Sequence, residues 1–279
     1  MQRIVDTLIK GNTVTEGAGV LLHRVFGFHE APAFDPFLLL DDFRSDTPED
    51  YLKGFPWHPH RGIETITYVL KGDVEHGDSL GNNGVISDGE VQWMTAGSGI
   101  IHQEMPKGDK NGAMHGFQLW TNLPASYKMM PPRYQEFTAS GIPEVQTPDG
   151  CRIKIIAGTI NGITGPVTDV VIAPVYIDCT LPPTAHFHHP SPDNHTALVY
   201  GIGGKGRIGD AVIENGQLAH LSQGTEITVE ATEIPFRFLL VMGKPIGEPI
   251  AWKGPIVMNT QEELDLAFIE YQSGKFVKI

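Results

Sequence analysis

Two short segments each set two metal-ligating side chains at positions i and i+2. Phe55-Pro-Trp-His-Pro-His-Arg-Gly62 carries His58 and His60, and Thr95-Ala-Gly-Ser-Gly-Ile-Ile-His-Gln-Glu-Met105 carries His102 and Glu104. Strands turn successive side chains to opposite faces, so i and i+2 point the same way. Two such strands side by side send three neutral imidazoles and one carboxylate into a shared space. That mixed nitrogen and oxygen set suits a redox-active or Lewis-acidic first-row metal. Four protein ligands leave up to two positions open on a six-coordinate ion, as a working site requires. A lone His-x-His would be a weak signal among twelve histidines. A second pair, behind a Gly-rich turn and separated from the first by strand-like sequence, is far harder to obtain by accident.

The pattern between and around these segments is that of an all-β chain. Phe37-Leu-Leu-Leu-Asp-Asp-Phe43, Ile63-Glu-Thr-Ile-Thr-Tyr-Val-Leu70, Val91-Gln-Trp-Met-Thr95 and His115-Gly-Phe-Gln-Leu-Trp120 are short runs rich in β-branched and aromatic residues. Turn residues punctuate them at Gly17–Gly19, Gly72, Asp78–Gly84 and Asp88-Gly89. The 32 glycines and 21 prolines fit many tight turns between short strands, as in an antiparallel barrel or sandwich. Residues 44–54 read as a loop. The last segment differs: Thr260 and Glu263 form a capping-box pattern, and apolar residues at 264, 267, 268 and 271 predict a helix ending near Ser273-Gly274.

A chain of 279 residues makes two domains or one large β domain. The predicted division is 1–135 as a first barrel with the metal site, 136–150 as a linker, 151–258 as a second barrel, and 259–279 as helix and tail. The second half reads as a worn copy of the first. Aligning Gly203 with Gly72 sets His189 opposite His58 and Ser191 opposite His60. Aligning Gly216 with Gly89 sets Val229 on His102 and Ala231 on Glu104. One ligand of four survives, too few for a catalytic ion. His186, His188 and His195 remain as a separate group in a Pro-rich stretch, lacking a carboxylate-bearing partner segment.

A net charge of −13 opposes binding to phosphate backbones, so direct contact with nucleic acid is not expected. No apolar run approaches the ~20 residues of a membrane span. The N-terminal residues lack an apolar signal core. Cys151 and Cys179 form no Cys-x-x-Cys pattern and read as reduced, buried thiols of a cytoplasmic protein.

His-Pro-His-Arg-Gly at 58–62, Gln-Trp-Met-Thr-Ala-Gly at 92–97, Ile-His-Gln-Glu-Met-Pro at 101–106, His115–Trp120 and Gly-Pro-Ile-Val-Met-Asn-Thr at 254–260 together resemble the pirin family of the cupin superfamily. The resemblance implies a bicupin: two antiparallel β-barrels, the first holding iron as Fe(II) or Fe(III) through His58, His60, His102 and Glu104. Other divalent first-row metals suit the same donors. Some bacterial members resemble quercetin 2,3-dioxygenases, which cleave a flavonol with O2 and release carbon monoxide. Animal members act as iron-dependent transcriptional cofactors.

Two readings of function follow. In the first, an open-sided ion chelates the 3-hydroxyl and 4-carbonyl of a flavonol, and Glu104 takes the hydroxyl proton as catalytic base. Many cupins draw their carboxylate from the first motif, where Glu64 stands; strand parity turns Glu64 the same way as His60, as a rival ligand or a proton relay. Phe55, Trp93, Met94 and Trp120 are candidates to line a flat-ring pocket, although each taken singly reads first as barrel core. In the second, the chain is a non-catalytic iron-binding regulator whose oxidation state tunes a surface, including Arg61, for a protein partner. A metal-assisted isomerase or decarboxylase would share the fold.

Overall fold

The computed structural model describes residues 1–278, almost all of whose regular structure is strand. The chain forms two compact units: Asn12–Ala33 with Phe37–Ala139 and the segment from Ile246 onward, and Met1–Gly11 with Phe34–Pro36 and Ser140–Pro245. Each is an antiparallel cupin barrel, and a C-terminal helix completes the bicupin.

The first unit has a seven-stranded and a four-stranded sheet. The seven-stranded sheet runs Arg133–Phe137, Val91–Thr95, Ile63–Lys71, His115–Asn122, Phe37–Asp42, Val20–Phe26, Asn12–Glu16. The four-stranded sheet runs Phe55–His60, Ile100–Pro106, Val74–Asp78, Asn83–Ile86. Burial along Ile100–Pro106 alternates strictly, with Ile100, His102, Glu104 and Pro106 inward. The parity expected from sequence therefore holds on this strand, and His102 and Glu104 share a face.

The second unit has one nine-stranded sheet, dominated by the long strands Thr196–Ile208 and Glu226–Gly243. Its interior is filled by apolar side chains, among them Ile153, Ile155, Phe187, Val229, Phe236 and Phe238. The ladder corrects the register read from sequence. Val229 pairs with Phe187, and His189 pairs with Ile227. Keeping Val229 at the place of His102 therefore puts Phe187, not His189, at the place of His58.

The division of the chain also departs from the expected one. Val5–Lys10 pairs with Gln217–Leu221 in the second unit. Arg133–Phe137 continues past residue 135 along Val91–Thr95. Glu144–Gln146, expected as linker, pairs with Arg152–Ala157. The hairpin Ala251–Lys253 with Ile256–Met258 belongs to the first unit. Pairing between strands distant in sequence is set by the partner's open edge, which a local reading does not contain.

The helix Gln261–Gln272 forms as expected: the Thr260 hydroxyl accepts from the Glu263 N–H, and the Glu263 carboxylate accepts from the Thr260 N–H. Leu264 and Ala267 are buried beneath it. Among the described residues no helix is long and apolar enough to cross a membrane.

Candidate metal centre

Phe55–His60 and Ile100–Pro106 are antiparallel neighbours that pair His58 with His102 and His60 with Ile100. The register shifts between His102 and Glu104, so Glu104 pairs with Phe55. This pairing gathers His58, His60 and His102 so that one ring nitrogen of each lies within 4.8 Å of the others. His58 and His102 are the nearest rings, with centroids 4.4 Å apart.

Hydrogen bonding fixes which nitrogens face inward. Nδ1 of His58 lies 2.9 Å from the Pro56 carbonyl, and Nδ1 of His60 lies 3.1 Å from the Pro255 carbonyl. A carbonyl only accepts, so in each ring Nδ1 carries the hydrogen and Nε2 keeps its lone pair. The two Nε2 atoms nevertheless stand 3.1 Å apart. Two lone pairs cannot hydrogen-bond to each other. Nε2 of His102 is buried with no hydrogen-bond partner. Burial, with the neighbouring imidazoles, holds the His60 and His102 pKa values well below the ordinary histidine range, and burial lowers that of His58 as well. His58 and His60 thus face each other with unused Nε2 lone pairs, and the His102 ring lies against both. Metal–nitrogen bonds of about 2.1 Å at right angles set neighbouring nitrogens about 3 Å apart, so the spacing of the His58 and His60 nitrogens fits an ion. Nδ1 hydrogens donated to carbonyls are the usual support for metal-bound imidazoles.

Glu104 is buried, and its Oε1 accepts from the Thr67 hydroxyl at 2.9 Å. Burial pushes its pKa up to about 7, against the pull of that hydrogen bond. The same hydroxyl lies 2.7 Å from Gln118 Oε1, and its single hydrogen serves one of the two oxygens at a time. Glu104 lines the same cavity as His58 and His60, but the close group of nitrogen and oxygen donors is the three imidazoles.

That cavity, about 590 Å³, lies within the first unit. Its wall is largely apolar, with Leu22, Leu39, Phe43, Phe55, Trp120 and Trp252. Trp120 sets its ring edge-on to His60, centroids 5.0 Å apart. A half-buried ion pair, Arg24 with Asp41 through two bonds of 2.9 and 2.8 Å, supplies a polar stretch of wall. Leu22, Thr67, Gln118, Arg24, Asp41 and Trp252 carry no local sequence signal and were not anticipated.

Phe55 and Trp120 line the cavity, and Trp93 and Met94 do not. Both are almost wholly buried, and Met94 packs with Ile63, Ala96, Ile100 and Val257. Glu64 also lies outside the cavity wall. It accepts from the Thr95 hydroxyl at 2.6 Å, and burial raises its pKa. Parity counted from His60 fails because the chain leaves one sheet and enters the other through Gly62, whose φ is +77°.

Arg61 is no solvated surface charge. It is 2% exposed, donates to the carbonyls of Ser98 and Phe276 at 2.7 and 2.8 Å, and pairs with Glu270 at 2.7 Å. Lys128 is buried nearby, its ammonium donating to the Gly62 and Val257 carbonyls and to Asn122 Oδ1. These two cations fasten the C-terminal segment to the strand that carries His58 and His60.

Family models cover both barrels: pirin over residues 19–121, and the pirin C-terminal cupin domain over residues 176–277. A pirin-like protein of Caulobacter vibrioides is 45% identical over 275 residues, spanning 98% of this chain and 99% of its own. Among solved structures, a quercetin 2,3-dioxygenase from Acinetobacter baumannii is 33% identical, with a TM-score of 0.90 over 99% of each chain. A bacterial pirin from Escherichia coli, crystallised with nickel(II), shares the fold at 22% identity, with a TM-score of 0.65 over 86% of this chain and 98% of its own. The continuous match through both barrels establishes that the chain belongs to the pirin family.

Proposed function

We propose that this pirin is a metal-dependent dioxygenase that cleaves flavonols such as quercetin with O2, with iron as its resident ion, held by His58, His60, His102 and Glu104. The observation that carries the reading is the gathering of three imidazoles, with the Nε2 lone pairs of His58 and His60 unused, beside an apolar, aromatic-walled cavity. The ion, when bound, supplies Lewis acidity toward a chelating hydroxyl and carbonyl and a route for electrons to O2. Phe55 and Trp120 bear on a flat ring and keep water from it. Glu104, whose carboxylate faces the cavity, is placed to accept the proton of the 3-hydroxyl. The Thr67 hydroxyl, 2.9 Å from one of its oxygens, orients it.

Two free, buried thiols fit a reducing compartment, and we place the protein in the cytoplasm. The test is loss of flavonol absorbance with iron-loaded protein in air and under nitrogen, with carbon monoxide measured in the headspace. Turnover in air alone, with carbon monoxide released, supports the dioxygenase. Full iron occupancy with O2 and no turnover would replace it with an iron-binding regulator that meets a protein partner.

A further inference from the structure

Thr67, Gln118, Asp41 and Arg24 stand in one row across four neighbouring strands of the seven-stranded sheet. The ladder pairs Thr67 with Gln118, Gln118 with Asp41, and Asp41 with Arg24. All four line the cavity, as does Glu16, whose Oε1 accepts from Arg24 Nη1 at 2.7 Å. The row begins beside Glu104, whose Oε1 lies 2.9 Å from the Thr67 hydroxyl. Three strand spacings, about 14 Å in all, separate Thr67 from Arg24. Side-chain exposure rises from 7% at Asp41 to 27% at Arg24 and 41% at Glu16, so the row runs outward from Glu104. Apolar side chains flank it on the same sheet face, Trp120 and Leu39 on one side and Leu22 and Phe43 on the other.

Packing alone gives no reason for this row. An ion pair inside a barrel is about as well replaced by apolar side chains of similar size, and the second barrel fills its interior that way. Charge decides which ligand atoms suit the row. Arg24 is met by two carboxylates, Asp41 and Glu16, so the three groups together carry a net negative charge. A carboxylate or phosphate on a ligand meets like charge here. A neutral hydroxyl instead donates to a carboxylate oxygen, a charge-assisted and therefore strong hydrogen bond. Adjacent hydroxyls on one flat ring match two carboxylates bridged by one guanidinium.

We propose that Arg24, Asp41 and Glu16 form the subsite for the hydroxylated phenyl ring of the flavonol, taking neutral adjacent hydroxyls and rejecting anions. The assignment to that ring rests on the dioxygenase reading, in which the 3-hydroxyl and 4-carbonyl face the imidazoles and Glu104. The phenyl ring then extends along the row.

The experiment titrates iron-loaded protein under nitrogen with quercetin, which carries two adjacent hydroxyls on its phenyl ring, and with galangin, which carries none there. Quenching of tryptophan fluorescence reports binding, since Trp120 and Trp252 line the cavity. The wild type is expected to bind quercetin about tenfold more tightly than galangin. A purely apolar wall gives the reverse order, because the hydroxyls lose water without replacement. R24L/D41L removes both charges of the pair together and is expected to bring the ratio to one or below, with circular dichroism checking the fold. E16Q, at the more exposed end, is expected to cut the ratio about threefold, and this comparison stands whether or not R24L/D41L folds. Equal affinities in the wild type, or a ratio unchanged in the folded variants, would overturn the subsite. Turnover in air separates the two readings. Discrimination in binding without flavonol cleavage keeps the subsite and removes the dioxygenase, whereas cleavage of both flavonols at equal affinity does the opposite.

Discussion

Phe187 stands directly across from Val229 in the second barrel, both buried in its apolar core, as His58 stands across from His102 in the first. One ladder position thus carries packing in one barrel and ligation in the other. Removing the Phe187 ring should destabilise the second barrel by about 3–5 kcal/mol, the usual range for truncating a core aromatic. Urea unfolding of Phe187→Ala measures this, and iron bound per chain is expected to stay the same. Loss of iron would mean that the buried centre depends on the second barrel.

Glu104 is the one acidic side chain among the proposed ligands, and it faces the cavity. Glu104→Gln keeps the shape and the Thr67 contact but neither charges nor accepts a proton. Flavonol turnover is expected to fall 10²-fold or more, with metal affinity about tenfold weaker. Turnover within twofold of wild type at full metal loading would remove Glu104 from the chemistry.

Lys128 provides a pH test on a group that is not a ligand. Burial lowers its pKa from the ordinary lysine value to about 7. The unfolded chain then binds more protons than the folded one between pH 7 and the ordinary lysine range. Stability contributed by this group therefore rises with pH across that window and is lowest where the buried ammonium is charged. Lys128→Met strands two carbonyls and the Asn122 oxygen and should cost about 3 kcal/mol. The gap between wild type and variant is expected to widen from pH 7 to pH 10 in thermal unfolding. A constant gap would show that Lys128 does not titrate there.

Trp120 lies edge-on to His60 and has the Trp252 ring centroid 6.2 Å away, so it is the part of the cavity wall beside the imidazoles. An aromatic pair contributes about 0.5–1.5 kcal/mol beyond area burial, so Trp120→Ala should raise the flavonol KM about tenfold. Metal content should be unchanged. Equal KM values would take the flat ring away from this wall.

The shared facing of His102 and Glu104 was legible because strand parity is a local rule, and Ile100–Pro106 follows it without interruption. The C-terminal helix was legible for the same reason: capping by Thr260 and Glu263 and the apolar spacing lie within one segment. What sequence misplaced depends on distant partners. Parity did not survive the turn at Gly62, so Glu64 went to a threonine-lined recess. Arg61 looked exposed because its partners, Glu270 and Phe276, lie more than two hundred residues away. The Pro255 carbonyl that orients His60 is a backbone group with no side-chain signature. Val5–Lys10 joins a strand two hundred residues on, and nothing in its own six residues names that partner.

The central claim is that His58, His60 and His102 converge on one ion. Elemental analysis of protein purified without added metal tests it, beside His102→Ala handled identically. The account predicts close to one equivalent of a first-row transition metal in the wild type and under a tenth of one in a folded His102→Ala. Equal metal in both proteins, or a wild type that takes up none when iron is supplied anaerobically, would contradict it.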